Sequence, residues 1–354
     1  MRKTKLPDLP AEPPRALRLR LDRDALAHNW TALDRLSDAA SAGAAVKADG
    51  YGLGAAEVVP VLHKAGARNF FVAHWCEVPA VLAHVPAGQI SVLHGPLTAQ
   101  DAAYARETGI KPVINSLHQA RLWRDAGGGL CDLMVDTGMN RLGLPMDQLG
   151  DPLIGALDID VLLSHLASAD EVSPLNETQL GRFTEVCGQI TSRRRSLANS
   201  AGITLGARYS FDLTRPGLAL YGGIPCPALD GQIRQVGFPQ AAILQTRTIQ
   251  AGDTVGYNAI FTADREMHVG VASLGYADGF LRCWGKGEMQ HEGRSLPLLG
   301  KISMDMIVID LGNAPDLKEG DWVDVPYSLP EGAILTGLSQ YELLTVLGRR
   351  FARI

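Results

Sequence analysis

Eight short apolar runs alternate with helix-period segments over the first two-thirds of the sequence, and this rhythm constrains the fold more than any other feature. The runs are Ala44–Lys47, Phe70–Ala73, Ile90–Leu93, Lys111–Ile114, Cys131–Val135, Val161–Ser164, Leu197–Asn199 and Leu218–Tyr221. Between them lie helical patterns at Ala55–Ala65, Glu77–His84, Ala99–Glu107, Leu117–Asp125 and Glu177–Arg194, and Asp22 is placed to cap an earlier helix running to Leu36. Continuous rather than alternating apolar strands imply a parallel sheet covered on both faces. A count of eight favours an α/β (β/α)8 TIM-like barrel over an open doubly wound sheet.

From about Phe238 the pattern changes. Ala241–Ile249, Asp253–Ile260, Met267–Leu274, Ser295–Leu299, Ile302–Asp310 and Trp322–Val325 read as strands separated by Gly and Pro turns, with no helix-length pattern before Ser339–Arg349. The expected organisation is therefore a flexible N-terminal arm over 1–16, a barrel over 17–237 and a C-terminal mostly-β domain over 238–354. The strictly alternating strand Leu17–Leu21 has no helical layer before it and is open to pairing with the β domain.

Bulk properties narrow the function. A formal net charge of -5 gives no basic face for nucleic acid, and the basic run Arg193-Arg194-Arg195 reads as a solvated helix end. The five cysteines are scattered, with no C-x-x-C pair, so neither a disulfide framework nor a zinc site is expected. No metal is called for. No apolar run approaches a membrane span, and Met1 to Arg15, basic and proline-rich, is unlike a secretory signal. A cytoplasmic protein is the expectation.

In a barrel of this kind reactive groups gather at the C-terminal strand ends. Those ends carry Lys47 and Asp49, Asp136 and Arg141, His165, Asn199 and Ser200, and Arg215 with Gly217. A lysine at the edge of a buried strand is costly unless paired or neutralised. It escapes that cost by snorkelling into water or by forming an imine with a carbonyl cofactor. Singly, His165 fits a core histidine, the arginines fit surface ion pairs, and Ser200 fits a helix cap. Their convergence on one barrel mouth favours a site.

The run Val46-Lys47-Ala48-Asp49-Gly50-Tyr51-Gly52 resembles the cofactor-lysine signature of the alanine racemase family. The likeness continues, in the family's order, through 135–143, 164–170, 199–202, 215–222, 275–280 and 300–305. It implies a pyridoxal 5'-phosphate enzyme, barrel plus β domain, that interconverts L- and D-alanine by two-base proton transfer and supplies D-alanine for peptidoglycan. Racemases of serine or of broader specificity, and barrel decarboxylases or aldolases, are the alternatives; a non-catalytic cofactor carrier would lack the β domain. The resemblance assigns Lys47 and Tyr276 as the two bases. It places Tyr51, His165, Asn199, Ser200, Arg215, Gly217 and Leu218 around the cofactor, with Arg215 on the pyridine nitrogen. It gives Arg141, Met304 and Asp305 to the substrate. Because Tyr276 and Met304-Asp305 lie in the β domain, it implies a head-to-tail homodimer with shared sites.

Three positions depart from the family pattern. Leu53 stands where many members have histidine. Met134 stands where some carry a carbamylated lysine, so Arg141 has to be held by a bound anion or another side chain. Residues 348–354 offer no tyrosine for the phosphate.

Overall fold

The computed structural model describes residues 12–354, so most of the expected 1–16 arm lies outside the described residues. Two compact units are present. One comprises Leu21–Gly237 with Ser328–Val346, the other the described residues up to Arg20, Phe238–Tyr327 and Leu347–Ile354.

The first unit is the barrel. Its strands are β1 (Ser41–Ala42 and Ala44–Ala45, interrupted at Gly43), β2 (Phe70–Val72), β3 (Ile90–Val92), β4 (Lys111–Ile114), β5 (Leu130–Asp136), β6 (Asp158–Leu163), β7 (Arg194–Ser196) and β8 (Leu213–Thr214). Parallel ladders run from β1 to β7 in chain order, and β8 pairs with β1 through Leu213 opposite Ser41. The ring closes because Asp212 and Arg215 donate backbone hydrogen bonds to Arg195 and Ala198 of the β7 segment. Phe71, Val113, Met134, Val161, Leu163 and Leu213 pack inside as one buried cluster. With helices outside and this cluster inside, each strand is buried on both faces, which explains the unbroken apolar runs.

The surrounding helices begin where the sequence carries caps. Asp22 accepts from the Ala25 amide ahead of Arg23–Leu36, Thr98 and Asp101 form a capping box, and Ser116 accepts from Gln119. Two strand expectations are corrected. The eighth strand is Leu213–Thr214, and Leu218–Tyr221 is a 3-10 turn. The seventh is Arg194–Ser196, so the run 197–199 lies just beyond its end. In both cases the polar residues Arg194 and Thr214 hid the true strand from an apolar-run reading.

The second unit is an antiparallel sheet in which Gly237–Ile249 pairs with both Trp322–Asp324 and Met267–Ala272, closing a ring through Ile307–Asp310, Arg294–Leu299 and Glu288–His291. Leu17–Leu21 adds to this sheet, with Arg18 opposite Ala352 in a parallel pair. Residues 328–346 fall with the barrel instead of with the β unit, against a single cut after residue 237. The reason is local: the Gln340 side chain both accepts from the Ile224 amide and donates to its carbonyl. Among the described residues no helix is long and apolar enough to cross a membrane.

Candidate active site

The chain leaves β1 through an uncommon backbone. Val46 makes a ladder-like bond to the Phe71 carbonyl (2.9 Å), and the strand expected to reach Lys47 has already ended. Ala48, Asp49, Gly50 and Tyr51 then all take positive φ, from 53° to 64°, and Gly52 follows at 82°. This is one turn of left-handed helix, closed by Gly50 N–H to Val46 O (2.9 Å) and Gly52 N–H to Ala48 O (2.8 Å). Each non-glycine residue held there costs roughly 1–2 kcal/mol. The turn directs Lys47 and Tyr51 into the same cavity. Asp49, left open between a polar role and a turn cap, accepts the Ala55 amide (2.8 Å) and so caps the helix Ala55–Ala65.

That cavity has a volume of about 580 Å³ and sits at the C-terminal strand ends of the barrel unit. Lys47, Tyr51, Arg141, His165, Asn199, Ser200, Arg215, Gly217 and Leu218 all line it. Arg215, buried, donates to Ser196 Oγ, to the Ser164 carbonyl and, at 3.4 Å, to the Leu197 carbonyl. All three acceptors are neutral. Burial draws its pKa down to about 10, and it remains a cation. Burial, with Arg215, Arg141 and Lys47 around it, pushes His165 down to about 3, so its ring is neutral in ordinary buffers. Burial also lowers Lys47, assisted by Arg141 and Arg215 and opposed by Glu77.

Arg141 is delivered by a loop wound on one carboxylate. Asp136 Oδ1 accepts the amides of Gly138, Met139 and Asn140, and Oδ2 accepts that of Arg141. The backbone is thus fixed without a lysine at 134. Met134 lines the cavity, and the Arg141 guanidinium makes no ion pair among the described residues. Ser200 Oγ accepts the amides of Gly217 (2.9 Å) and Ala219 (3.3 Å), which leaves its own proton to donate. The Gly217 amide is therefore already occupied. Glycine is required at 217 for another reason: a Cβ there would lie 2.2 Å from Tyr51 Oη. Asn199 Oδ1 accepts from Gly202 and shapes the same loop.

Sequence reading missed one aromatic. Tyr341 lines the cavity, tilted against Tyr51 at 6.4 Å, while Tyr51 stacks on Tyr221 at 4.7 Å. The tyrosine sought in residues 348–354 thus has a counterpart earlier in the chain, on the helix Gln340–Thr345. His94 and Asp170 also line the cavity without having been singled out. Their signal was weak, since neither sits in an apolar strand end that demanded explanation.

The remaining three predicted residues belong to the β unit, where the fold brings them together. The Tyr276 amide donates to Ser303 O (3.1 Å), the Ala277 amide to Met304 O (3.0 Å), and a Cβ on Gly275 would meet Met304 O at 2.2 Å. Arg350 ties this corner, donating to Asp278 (2.6 Å) and to Asp305 (2.7 Å). Arg282 lies over the Tyr276 ring at 5.3 Å.

A closed parallel barrel with a strand-end lysine among uncompensated arginines, carried with an antiparallel β unit, defines a barrel enzyme of the carbonyl-cofactor class. Residues 21–225 match the alanine racemase N-terminal domain and residues 238–354 the alanine racemase C-terminal domain. The chain belongs to the alanine racemase family. It is 40% identical over 352 residues to an alanine racemase of Methylobacterium nodulans, covering 95% of both chains. It is 38% identical over 364 residues to the biosynthetic alanine racemase of Agrobacterium fabrum, covering 95% of this chain and 93% of that one. Among solved structures, the alanine racemase of Bartonella henselae with covalently bound pyridoxal phosphate matches with a TM-score of 0.87 and 35% identity, over 96% of this chain and 99% of that one. The biosynthetic enzyme of Pseudomonas aeruginosa matches at 0.85 and 33%, with the same coverage.

Proposed function

We propose that this chain is a pyridoxal-phosphate-dependent alanine racemase, an isomerase that interconverts L- and D-alanine. Family membership and the names of its relatives support the reaction and cofactor. The observation in this chain that carries the reading is charge: Lys47, Arg141 and Arg215 meet in one cavity, and none forms an ion pair with a carboxylate among the described residues. A guest of net negative charge fits that excess, with Arg141 facing a substrate carboxylate and a phosphate held by neutral donors elsewhere in the same cavity. It also fits the close approach of Gly217 to Tyr51 and the unspent proton of Ser200.

Bound there, pyridoxal phosphate supplies an electron-withdrawing ring that acidifies the Cα–H of an attached amino acid. Lys47 holds the group and, once free, moves a proton at Nζ. Its lowered pKa leaves a larger neutral fraction to act as base at working pH. Arg215 donates hydrogen bonds and gives up no proton, so a pyridine nitrogen facing it keeps its lone pair. His165, neutral, packs at the ring without adding charge. Tyr51, Ser200 and the Leu218 amide, which line the cavity with Tyr341 beside Tyr51, would hold the phosphate. Arg141 orients the substrate carboxylate.

Racemisation needs a second base on the opposite face, since one base alone tends to return the proton to its origin. Tyr276 takes that role, with Met304 and Asp305 beside it. We read these β-unit residues as reaching the cavity of a second copy of the chain, in a head-to-tail homodimer. The site is assigned to the cytoplasm and to D-alanine supply for the cell wall, in keeping with the biosynthetic relatives.

Lys47→Ala tests the core of this reading. The purified variant is expected to lose the visible absorption of bound cofactor together with alanine racemisation. An unchanged spectrum overturns the lysine assignment. Mixing inactive Lys47→Ala with inactive Tyr276→Phe is expected to restore activity through hybrids; hybrids that form but stay dead overturn the shared site.

A further inference from the structure

We infer that Glu77 is a positioning residue for Lys47, acting by clamping the left-handed turn that follows the lysine. The ladder between β1 and β2 ends at Val46, yet the turn beyond it contains three non-glycine residues at positive φ: Ala48, Asp49 and Tyr51. L-residues leave that region when nothing holds them. Beside the turn's own backbone bonds, a side chain that follows the next strand ties it to the barrel. Glu77 Oε1 accepts the Ala48 amide at 2.6 Å, while Oε2 accepts the amides of Ala73 at 2.7 Å and His74 at 3.1 Å. One carboxylate therefore continues, beyond the last strand residue, the link that the backbone ladder has given up. All three bonds are charge-assisted.

The chemistry of the clamp is specific. Both oxygens must accept, so a glutamine would turn an N–H pair toward a backbone N–H, and an aspartate falls one methylene short. Glu77 does not line the cavity, so it meets neither cofactor nor substrate; it reaches Lys47 through the backbone at Ala48 and through its charge, which raises the lysine's pKa against the lowering by burial. Lys47 Nζ hangs on a flexible four-carbon stem, and proton transfer tolerates little misplacement at its base. The inference rests on the reading of Lys47 as the cofactor lysine. The Lys47→Ala spectrum tests that reading by itself, so the two can fail separately.

The experiment compares the parent, Glu77→Gln and the double variant Ala48→Gly/Glu77→Gln, each as the full chain. Two readouts are taken: the rate at which added pyridoxal phosphate develops its protein-bound visible band, and the primary isotope effects on kcat/KM with α-deuterated D- and L-alanine. In Glu77→Gln, band development slows on the order of tenfold to a hundredfold. The isotope effect rises for the enantiomer whose α-proton Lys47 takes and falls for the one whose α-proton Tyr276 takes, the two being told apart by which direction Tyr276→Phe slows more. Glycine enters positive φ freely, so the double variant recovers most of the loading rate and the parent isotope pattern. A merely structural role would move both isotope effects together and gain nothing from glycine at 48. Parent-like loading in Glu77→Gln, or slow loading that Ala48→Gly leaves uncorrected, overturns the clamp. Should Glu77→Gln fail to fold, yield is the readout: a folded double variant supports the clamp, and an unfolded one overturns it.

Discussion

At the N-terminal strand ends of the barrel, Lys111 reaches Asp160 at 2.6 Å and Asp132 at 3.7 Å, and Ser91 donates to Asp132 at 2.6 Å. Arg194 donates to both oxygens of Asp160 and to Asn69. Two cations face two carboxylates, with neutral partners filling the remaining valences. At the C-terminal ends, Lys47, Arg141 and Arg215 line the cavity with no carboxylate ion-pair partner among the described residues. The same barrel pairs its buried floor charges and leaves three cations unpaired at its mouth, of which Arg215 is buried, Lys47 half-buried and Arg141 exposed. Burying a cation without an anion is unfavourable, so the mouth is arranged for a negative group that arrives later. The floor pairs instead link neighbouring strands, Lys111 reaching both Asp132 and Asp160.

The contrast can be broken at its most buried point. Lys111→Met strands two carboxylates against one arginine and is expected to lower the unfolding free energy by about 3–5 kcal/mol, read by urea denaturation. A loss under about 1 kcal/mol would mean the floor charges are solvated. At the mouth the same kind of change should spare stability and remove function. Arg215→Leu is expected to reduce kcat for alanine racemisation by about 10²–10³-fold while the cofactor-free protein unfolds at the same or higher urea concentration.

The pH dependence of unfolding separates the two ends next. The folded pKa of His165, about 3, lies below the ordinary histidine value. The unfolded chain therefore binds a proton that the folded chain refuses, and stability contributed above about pH 6.5 is lost as pH falls toward 3. His165→Asn should flatten that limb. For Asp160, burial raises the pKa but the bonds from Arg194 and Lys111 outweigh it, so the folded value lies below the usual carboxylate range. Its contribution is intact above about pH 4 and is lost only below that. Asp160→Asn should lower stability throughout the range above about pH 4, by unpairing Lys111, and flatten this lower limb. The smallest effect is expected on the surface beside the floor, where Arg193 pairs with Asp158 in the open. Arg193→Ala should leave the urea midpoint within the scatter of repeat measurements, because water and salt screen such a pair.

Much of this was legible in the sequence, for reasons that differ by region. The barrel was readable because strands buried on both faces carry unbroken apolar runs, as Phe70-Phe71-Val72 does. It failed where a strand admits polar residues for the floor or the mouth, as Arg194–Ser196 and Leu213–Thr214 do. Of the nine residues read from strand ends, seven line one cavity and Asp49 and Asp136 do not, while Tyr51 and Leu218, which the family resemblance supplied, line it too. Tyr341 was invisible because it comes from a helix far along the chain from the Gly-Tyr-Gly turn it packs against, and only tertiary structure returns it there. Glu77 was invisible for a different cause. Its partners are backbone amides, which leave no imprint on residue type, and the left-handed path it holds looks in sequence like an ordinary glycine-rich turn. The occupied Gly217 amide belongs to the same class: the family resemblance placed Gly217 at the cofactor, and only geometry shows its amide already donating to Ser200.

The central claim is that the mouth cations await an anion and the floor cations do not. Urea denaturation of the parent, Lys47→Met and Lys111→Met, each with and without added pyridoxal phosphate, tests it in one measurement. The parent should gain stability from the cofactor by mass action. Lys47→Met should match or exceed the parent without cofactor and gain nothing from it, whereas Lys111→Met should fall by about 3–5 kcal/mol without cofactor and keep the parent's increment with it. If Lys47→Met instead loses as much stability as Lys111→Met without cofactor, the mouth lysine is already compensated within the chain, and the distinction between the two ends is wrong.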